Sequence, residues 1–599
     1  MNVKHYLLMT AFLFISMSSL FAVPAVPWPV EKVQPDGTKI SVFIKGDEKV
    51  HWMESADGYT LLYDSQKYVV YARTDEQGNL TPSTIKFGGA EKPSADIPKG
   101  LHYSQSQINT MMSIWKTTDD VSRTQRATTG TLKALCILAA FSDQPFVKTQ
   151  AEFDILMNQV GYNAGGAKGS VRDYYLENSY GALTIVITVV GPVTLPQPLA
   201  YYAPKNRWKT FILNAIDAAD PFVDYSQFAN EYGQVSNLHV IFEGYGDENF
   251  NTGQRIWSHE SVLGTSPIQR DGVYLNSYSC SPELRGSSGQ NITYIGVICH
   301  EMAHVLGSAD FYDPSANQGP PDFVGTGVWD LMAAGSWNDN GRQPACHNPY
   351  NKIKWGWITP QLLSSPTTIY DMPASDTNPV IYKIMANSFD GECYYLDNRQ
   401  QIGFDTSLPG HGLLIWHAAK TVSSYAPNED PPLQFYPVWA RSTYAVPGST
   451  PASYGASALV GGINTNGCPF PGSSGKTAFT DTTIPQAFTW TGMGGIGKPI
   501  TNITENNTNK TISFDFMAPD AVDVVNANVN LDVYPNPVSA GAPFTVITDY
   551  QGKVINIYNI DGILIKEQIS QGTETQVTVS DAGVYIISVD NKHSKLIVK

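Results

Sequence analysis

Residues 295–306 most restrict how this chain can fold. The run is apolar and favours a helix, and Gly307 behind it is a natural C-terminal cap because glycine adopts the left-handed conformation without strain. Positions four apart in a helix lie on one face, so His300 and His304 face the same way. The surrounding fold must therefore build a pocket for two neighbouring imidazoles.

These side chains suit zinc chemistry. Neutral imidazole is a good zinc ligand, and the turn at Gly307 can return Asp310 to the same ion as a third ligand. Glu301 lies beside the first histidine, where it can act as general base on a zinc-activated water and pass the proton to the departing amine. The sequence thus predicts one catalytic Zn²⁺ held by His300, His304 and Asp310, with Glu301 as the catalytic residue. The alternative is a pair of surface histidines on an ordinary helix.

The pattern H-E-x-x-H-x-x-G-x-x-D at residues 300–310 resembles the metzincin zinc site in its variant with aspartate as third ligand. With DFYD at residues 310–313, the segment resembles the immune inhibitor A family of secreted bacterial metallopeptidases. The resemblance continues in residues 173–181 (DYYLENSYG), 256–259 (IWSH) and 408–417 (LPGHGLLIWH). It covers roughly residues 130–516 and implies a zinc endopeptidase that hydrolyses protein or peptide substrates.

In that family a turn containing methionine lies beneath the zinc. Residues 328–335 (VWDLMAAG) match it, which implies that Met332 supports the site by packing, as an ordinary core methionine would. Some metzincins place a tyrosine two residues later, but Ala334 stands there, so the resemblance assigns no tyrosine to transition-state stabilisation. His259 and His417 also match family positions, and we expect structural roles for both, because catalytic zinc already has its ligands.

Carboxylates crowd the loop after the helix. Asp313, Asp322 and Asp330 could hold a Ca²⁺ ion, or could equally be solvated loop groups. The net charge of -16, without any cluster of Lys or Arg, makes nucleic acid an unexpected partner. Acidity of this size is in keeping with solubility outside the cell.

The chain has 599 residues, which is too long for one hydrophobic core. We expect an α+β fold overall, with a metzincin-like zinc peptidase domain, a β-rich propeptide and a C-terminal β-sandwich. The predicted divisions are a signal peptide at 1–25, a propeptide and linker at 26–125, the zinc metallopeptidase catalytic domain at 126–365, its β-rich extension at 366–520, and a sorting domain at 528–599.

The N-terminus is typical of a secretory signal, since Lys4 precedes an apolar run at residues 6–21 and small residues at Ala22 and Ala25 offer two cleavage positions. The run is short for a membrane span, and no transmembrane span is expected in the mature protein. The six cysteines contain no C-x-x-C pair, so a cysteine zinc site is not expected. One or two disulfides are compatible with the sequence, and Cys299 is predicted to be a packed thiol.

The region 26–125 is similar to propeptides that precede such catalytic domains, notably at residues 34–38 (QPDGT) and 57–59 (DGY). It contains no cysteine, so a thiolate cannot block the zinc. Either an aspartate carboxylate of this region blocks the metal, or the region is only a folding aid. Its polar linker, with Arg123 and Arg126, predicts an activation cut that leaves the mature N-terminus between residues 122 and 131.

The end of the chain resembles the C-terminal sorting domain of the type IX secretion system of some Gram-negative bacteria. The resemblance depends on residues 534–537 (YPNP), 583–585 (GVY) and 595–599 (KLIVK). It implies the type IX machinery as a partner, and a protein that passes the periplasm to be secreted or held at the cell surface. The alternative is a generic β-sandwich that binds surfaces.

Together these features predict a secreted zinc-dependent endopeptidase made as a preproenzyme. The alternative from another class is a surface adhesin or carbohydrate-binding protein with a vestigial zinc site. The intact Glu301 argues against the alternative, because a structural zinc site does not need that residue.

Overall fold

The computed structural model describes residues 23–599 except 94–96, 114–126, 264–267, 314–324, 387–390, 424–426, 429–432, 444–461, 491–493, 518–530, 549–551, 561 and 590–591. Most of the predicted signal peptide, the linker arginines Arg123 and Arg126, and Asp322 lie outside the described residues. The chain divides into two compact units, Met1–Ala518 and Pro519–Lys599. Across the described residues, no helix combines the length and apolarity that crossing a bilayer requires.

Within residues 23–93, six strands form one sheet in chain order, each antiparallel to the next. The predicted turns at residues 34–38 and 57–59 are present, and each places its glycine at positive φ. The elements of this N-terminal region (residues 23–113) are β1 (Val30–Val33), β2 (Lys39–Gly46), β3 (His51–Glu54), β4 (Thr60–Tyr63), β5 (Val69–Thr74), β6 (Leu80–Lys86) and the helix α1 (Gln105–Ser113).

The next part is a mixed α/β layer structure. Its strands are β7 (Gly130–Ala140), β8 (Leu183–Thr194), β9 (Gln234–Val235), β10 (Leu238–Tyr245), β11 (His259–Val262), β12 (Ile268–Arg270), β13 (Val273–Leu275) and β14 (Ser277–Leu284). Its helices are α2 (Gln150–Asn158), α3 (Val171–Asn178), α4 (Leu199–Tyr202), α5 (Trp208–Ala219), α6 (Ile295–Val305) and α7 (Pro349–Lys354). The capping box of α3, between Ser170 and Asp173, confirms the predicted N-cap.

The main sheet has the order β11-β14-β10-β7-β8, with β11 as an antiparallel edge on an otherwise parallel sheet. The apolar run of β7 is buried on both faces, as expected for a central parallel strand. Cys136 and Leu138 face the cluster that contains α2, α3 and α6, whereas Leu135 and Ile137 face the cluster that contains α5. The helix α6 packs on β14 and β11, which places its polar residues against the edge strand.

Strands dominate the following part. They are β15 (Gln361–Leu362), β16 (Thr367–Met372), β17 (Tyr382–Met385), β18 (Cys393–Arg399), β19 (Gly412–Ala418), β20 (Phe435–Val438), β21 (Phe488–Thr489), β22 (Gly494–Gly495), β23 (Ile500–Asn506) and β24 (Thr511–Phe516). Two of the sheets have the orders β15-β17-β18-β19-β20 and β16-β24-β23. Residues of β18, β19 and β20 belong to the same hydrophobic cluster as α3 and α6, so this part shares its core with the peptidase region.

The second unit is all-β. It contains β25 (Val533–Tyr534), β26 (Pro543–Ile547), β27 (Val554–Asn559), β28 (Leu564–Ile569), β29 (Glu574–Thr578), β30 (Gly583–Val589) and β31 (Lys592–Val598). One sheet has the order β25-β26-β29 and the other β28-β27-β30-β31. Side chains from both sheets, such as Phe544 and Ile587, form one buried cluster.

All six cysteines of the chain lie among the described residues and are buried free thiols. The disulfides that the sequence allowed are therefore not formed. Cys299 is a packed core thiol in α6, as predicted.

Candidate metal centre

The helix α6 carries its polar side chains entirely out of solvent. His300, Glu301 and His304 each have 0% of their surface exposed. The helix ends as predicted, because Gly307 has φ +92° and its N–H donates to the carbonyl of His304. Ser308 N–H then donates to the carbonyl oxygen of Ala303, which reverses the chain and brings Asp310 back to the helix.

Three ligand-type atoms converge at this point. Asp310 Oδ1 lies 3.2 Å from His300 Nε2 and 3.2 Å from His304 Nε2. The two Nε2 atoms lie 3.1 Å from each other. We call His300, His304 and Asp310 the metal cluster; its three ligand atoms all lie within 4.8 Å of one another.

The hydrogen bonds of the two imidazoles make this group fit a metal ion. His300 Nδ1 lies 2.8 Å from the carbonyl oxygen of Leu331, and His304 Nδ1 lies 3.1 Å from that of Ser308. A carbonyl oxygen only accepts, so each Nδ1 carries the proton and each Nε2 presents a lone pair. Two nitrogen lone pairs and a carboxylate oxygen at such distances repel one another unless a cation lies between them. Two imidazoles and a carboxylate are a typical zinc ligand set.

The electrostatics of the metal cluster favour the same conclusion. Burial by itself would raise the pKa of Asp310, but His304 and His300 outweigh it and hold that pKa below its ordinary value. Burial lowers the pKa of His304, against the opposing effect of Asp310. Burial thus disfavours the charged form of His304, and a metal ion requires that imidazole to be neutral.

Glu301 lies beside the metal cluster with its carboxylate buried. Burial, and then the charge of Asp310, raise the pKa of Glu301 well above its ordinary value. Its Oε1 accepts a hydrogen bond of 2.8 Å from the main-chain nitrogen of Val23, and its Oε2 has no hydrogen-bond partner among the described residues. A carboxyl group of raised pKa within reach of a peptide nitrogen is suited to proton transfer.

The methionine turn holds two parts of the cluster. Met332 is fully buried, and its carbonyl oxygen accepts from Phe311 N–H, next to Asp310. The preceding carbonyl, of Leu331, is the one that fixes His300. Met332 therefore supports the site by packing, and the main chain of its turn also holds His300 and the residue after Asp310 by hydrogen bonds.

Asp330 has a structural use that the sequence did not indicate. Its carboxylate accepts hydrogen bonds from Thr326 Oγ1 and from the side-chain and main-chain nitrogens of Asn348. Neither Asp330 nor Asp313 belongs to a group of described residues that could hold a metal ion. The described residues therefore give the predicted calcium site no support.

A second group of potential ligands lies elsewhere in the same unit. Cys346, Asp376 and Asp405 also bring their ligand atoms within 4.8 Å of one another. Here, however, Arg399 donates to both oxygens of Asp405, at 2.6 Å and 2.7 Å. Arg399 Nε also lies 3.8 Å from Asp376 Oδ1, and Arg399 Nη1 lies 3.7 Å from Asp397 Oδ2. We call Arg399, Asp376, Asp397 and Asp405 the arginine cluster.

The two histidines expected to be structural are both buried and hydrogen bonded. His259 contacts the carbonyl oxygen of Trp257 and the hydroxyl of Tyr278. His417 contacts the hydroxyl of Tyr436 and the carboxylate of Glu392. Each ring therefore has partners at both nitrogens, in keeping with a structural role.

Residues 23–26, which we call the N-terminal segment, occupy the space beside Glu301. Val23 and Val26 are fully buried. Besides the contact of Val23 with Glu301, Trp257 Nε1 donates to the carbonyl of Val23 at 3.0 Å, and Trp337 Nε1 donates to that of Pro24 at 2.9 Å. These contacts lie between Ala22 and Ala25, the two cleavage positions that the sequence offers.

The turn between β2 and β3 also reaches this site. Asp47, Glu48 and Lys49 are almost completely buried. Tyr312, two residues after Asp310, donates from its hydroxyl to Asp47 Oδ2 at 3.4 Å. Burial, and then the charge of Asp47, raise the pKa of Glu48 well above its ordinary value. Carboxylates of the N-terminal region thus lie close to the metal cluster. The sequence left open whether a carboxylate of this region blocks the metal or the region is only a folding aid.

A buried helix with H-E-x-x-H, followed by a glycine turn and an aspartate that returns to the histidines, is the arrangement of a metallopeptidase. Residues 209–358 match the family described as immune inhibitor A peptidase M6, catalytic domain. Residues 532–599 match the secretion system C-terminal sorting domain. The chain thus carries an immune inhibitor A-type metallopeptidase domain and a terminal sorting domain of a secreted or surface protein, which confirms both resemblances seen in the sequence.

A search of curated proteins gave no match. Among solved structures, the chain is similar to PorZ, an essential bacterial surface component of the type-IX secretion system of Porphyromonas gingivalis. The identity is 13%, the match covers 37% of this chain and 23% of PorZ, and the TM-score is 0.11. This TM-score is too low for any conclusion about fold or function.

Proposed function

We propose that this chain is the proenzyme of a secreted zinc endopeptidase that cleaves peptide bonds in extracellular proteins. The observation that carries the proposal is the convergence of His300 Nε2, His304 Nε2 and Asp310 Oδ1 at 3.1–3.2 Å, with Glu301 beside them. His300, His304 and Asp310 would hold one zinc ion. The sorting domain supports export, and the peptidase family supports protein substrates.

The residues of the site have distinct tasks in this reaction. Zinc, when bound, supplies a Lewis acid that polarises the scissile carbonyl and acidifies a water molecule. Glu301 takes the proton of the attacking water on its carboxylate and then donates it to the nitrogen of the departing amine. The carbonyls of Leu331 and Ser308 hold the two imidazoles with their Nε2 lone pairs toward the ion.

The N-terminal region supports the proenzyme part of the proposal. Its N-terminal segment fills the space beside Glu301, and its turn at Asp47 and Glu48 reaches the neighbourhood of Asp310. Substrate and this region cannot occupy the same space. The N-terminal segment together with the region predicted as propeptide (residues 23–125) therefore acts as an inhibitor rather than as a folding aid alone, and activity requires its removal after a cut in the linker.

Chelation separates a zinc peptidase from a binding protein with a vestigial site. The mature form should hydrolyse casein, lose that activity after dialysis against 1,10-phenanthroline, and recover it with about one equivalent of Zn²⁺. A preparation of the uncut proenzyme is the matched control and should stay inactive throughout. Casein hydrolysis that persists in a zinc-depleted sample, or its absence from a mature sample with full zinc, would overturn the proposal.

The sorting role is tested on living cells. A chain that lacks residues 528–599 should fold and keep zinc but remain in the cell envelope, because the signal for export is removed. A chain with a silent tag inserted at the same boundary is the control. Normal secretion of the truncated chain would contradict the role of this domain.

A further inference from the structure

The N-terminal segment lies in the cleft in the position of a cleaved product. During hydrolysis the general base gives its proton to the nitrogen on the C-terminal side of the scissile bond. The main-chain nitrogen of Val23 lies 2.8 Å from Glu301 Oε1, which is the position of such a leaving amine. Val23 and Pro24 then correspond to the first and second residues after the scissile bond.

Two indoles bind the carbonyls of these residues in succession. Trp257 Nε1 donates to the carbonyl oxygen of Val23 at 3.0 Å, and Trp337 Nε1 donates to that of Pro24 at 2.9 Å. Both tryptophans belong to the matched peptidase domain. Trp257 lies two residues before the edge strand β11, which packs against α6, and Trp337 lies in a 3-10 segment that also packs on α6.

Both indoles are covered by the N-terminal region. Trp257 is 1% exposed and stacks on His51, while Trp337 is 9% exposed and packs edge-on against Trp28. An indole N–H is only a donor, and buried donors almost always have a partner. Removal of the propeptide takes away both acceptors and leaves two donors spaced for consecutive carbonyl groups of an extended chain.

We propose that Trp257 and Trp337 are substrate-positioning residues of the mature enzyme. Their indole N–H groups bind the carbonyl oxygens of the first and second residues after the scissile bond. This inference depends on the proposed peptidase function, and it names the part of the cleft that holds the departing half of the substrate.

The same contacts define the side chains that fit. Val23 is fully buried, so the first position takes an apolar side chain of about that size and excludes a charged one, which would lose its solvation. Pro24 has no N–H, so the second residue is held through its carbonyl alone. Proline is therefore accepted at the second position.

The experiment uses the mature enzyme and two peptides that are identical up to the scissile bond, and their hydrolysis is followed by chromatography of the products. One continues as Val-prolinamide and the other as Val-pyrrolidide, which lacks the proline carboxamide group and with it the second carbonyl. Trp337→Phe should lower kcat/KM for the prolinamide peptide about fivefold, the typical effect of one neutral hydrogen bond, and leave the pyrrolidide peptide unchanged. Trp257→Phe should lower both by a similar factor, because both peptides keep the valine carbonyl.

Trp357→Phe is the matched control, because the indole of Trp357 donates to the carbonyl of Thr128 and not to the N-terminal segment. Any effect of this control should be equal for the two peptides. An equal effect of Trp337→Phe on both peptides would overturn the inference while leaving the peptidase function intact. Absence of zinc-dependent hydrolysis of either peptide by the wild-type mature enzyme would instead defeat the proposed function itself.

A measurement on wild-type enzyme keeps the inference testable if a variant fails to fold. Val-prolinamide, as a product analogue, should inhibit casein hydrolysis about fivefold more strongly than Val-pyrrolidide. Equal inhibition by the two compounds would show that the second carbonyl is not bound and would overturn the inference.

Discussion

The metal cluster and the arginine cluster are alike in burial and spacing but opposite in charge balance. The metal cluster has three potential metal ligands within 4.8 Å of one another, and so does the buried group of Cys346, Asp376 and Asp405, which shares two residues with the arginine cluster. In the arginine cluster, the guanidinium of Arg399 contacts Asp405 in bidentate geometry and supplies the positive charge itself. In the metal cluster, Asp310 contacts two imidazoles whose lone pairs face it. To recognise a metal site, the proximity of ligand atoms is therefore a weaker criterion than the source of the positive charge that neutralises them.

The pKa shifts of Asp376 and Asp405 show how Arg399 supplies the neutralising charge in the arginine cluster. Burial raises the pKa of Asp376 well above its ordinary value, and the neighbouring charge of Asp405 adds to this effect. The pKa of Asp405 is lowered despite burial, because Arg399 stabilises its charge. A proton on Asp376 and the guanidinium of Arg399 beside Asp405 thus offset the charges of two of the three carboxyl groups in the arginine cluster.

The largest effect should come from removing a metal ligand. His304→Ala and Asp310→Ala should each lose zinc together with all casein hydrolysis, whereas Asp405→Ala should keep one equivalent of zinc. Zinc stoichiometry and turnover are measured on the same preparations. If Asp310 only orients a histidine, its alanine variant should bind zinc about ten- to a hundredfold more weakly, and saturating zinc should restore activity. Asp310→His should retain zinc.

Glu301→Gln tests the group beside the metal cluster that is not a ligand. Zinc should stay near one equivalent while casein hydrolysis falls at least about a hundredfold, because the general base is lost and the ligands remain. A fully active variant would show that Glu301 is not the general base, and the metal cluster would then have no catalytic group beside it.

Arg399→Met should destabilise the protein by about 3–5 kcal/mol, because the partners of a buried ion pair are left with uncompensated charge. Urea unfolding of the variant and the wild type measures the difference in free energy of unfolding. The double variant Arg399→Met with Asp405→Asn is the control and should recover part of the loss. An unchanged unfolding midpoint would mean that Arg399 does not neutralise its cluster.

Glu248, a buried carboxyl group that accepts a hydrogen bond from Ser258, extends the comparison. Burial raises its pKa from 4.5 to about 7. Between these values the folded chain keeps a proton that the unfolded chain has lost, so the free energy of unfolding should fall as pH rises. The stabilisation is complete below about pH 4.5 and is lost by about pH 7, with a total change of up to about 3 kcal/mol.

Urea unfolding of the proenzyme at pH 4.5 and at pH 7.5 measures this change, and Glu248→Gln is the matched variant. Because a glutamine does not titrate, the variant should show a smaller fall in stability over this range than the wild type. Equal falls in both proteins would contradict the raised pKa of Glu248.

Local patterns allowed much of the fold and the site to be predicted. The helix α6, its glycine end and the return of Asp310 depend on residues within about three turns, and the strand β7 depends on one apolar run. Contacts over long sequence distances were not predictable in this way. Val23 and Glu301 are separated by 278 positions, and no periodicity links them. The side chains through which the peptidase region and its β-rich extension share one core are likewise distant in sequence.

The position of the blocking residues at the very start of the N-terminal region has a kinetic consequence. A cut in the linker leaves every contact of Val23 and Pro24 in place. The whole sheet β1–β6 lies between these residues and the linker in sequence. The cut instead turns an intramolecular inhibitor into a separate ligand, and the effective concentration of millimolar order that a tether provides is lost. Dilution into the surroundings of the cell, or digestion of the released fragment, then completes activation.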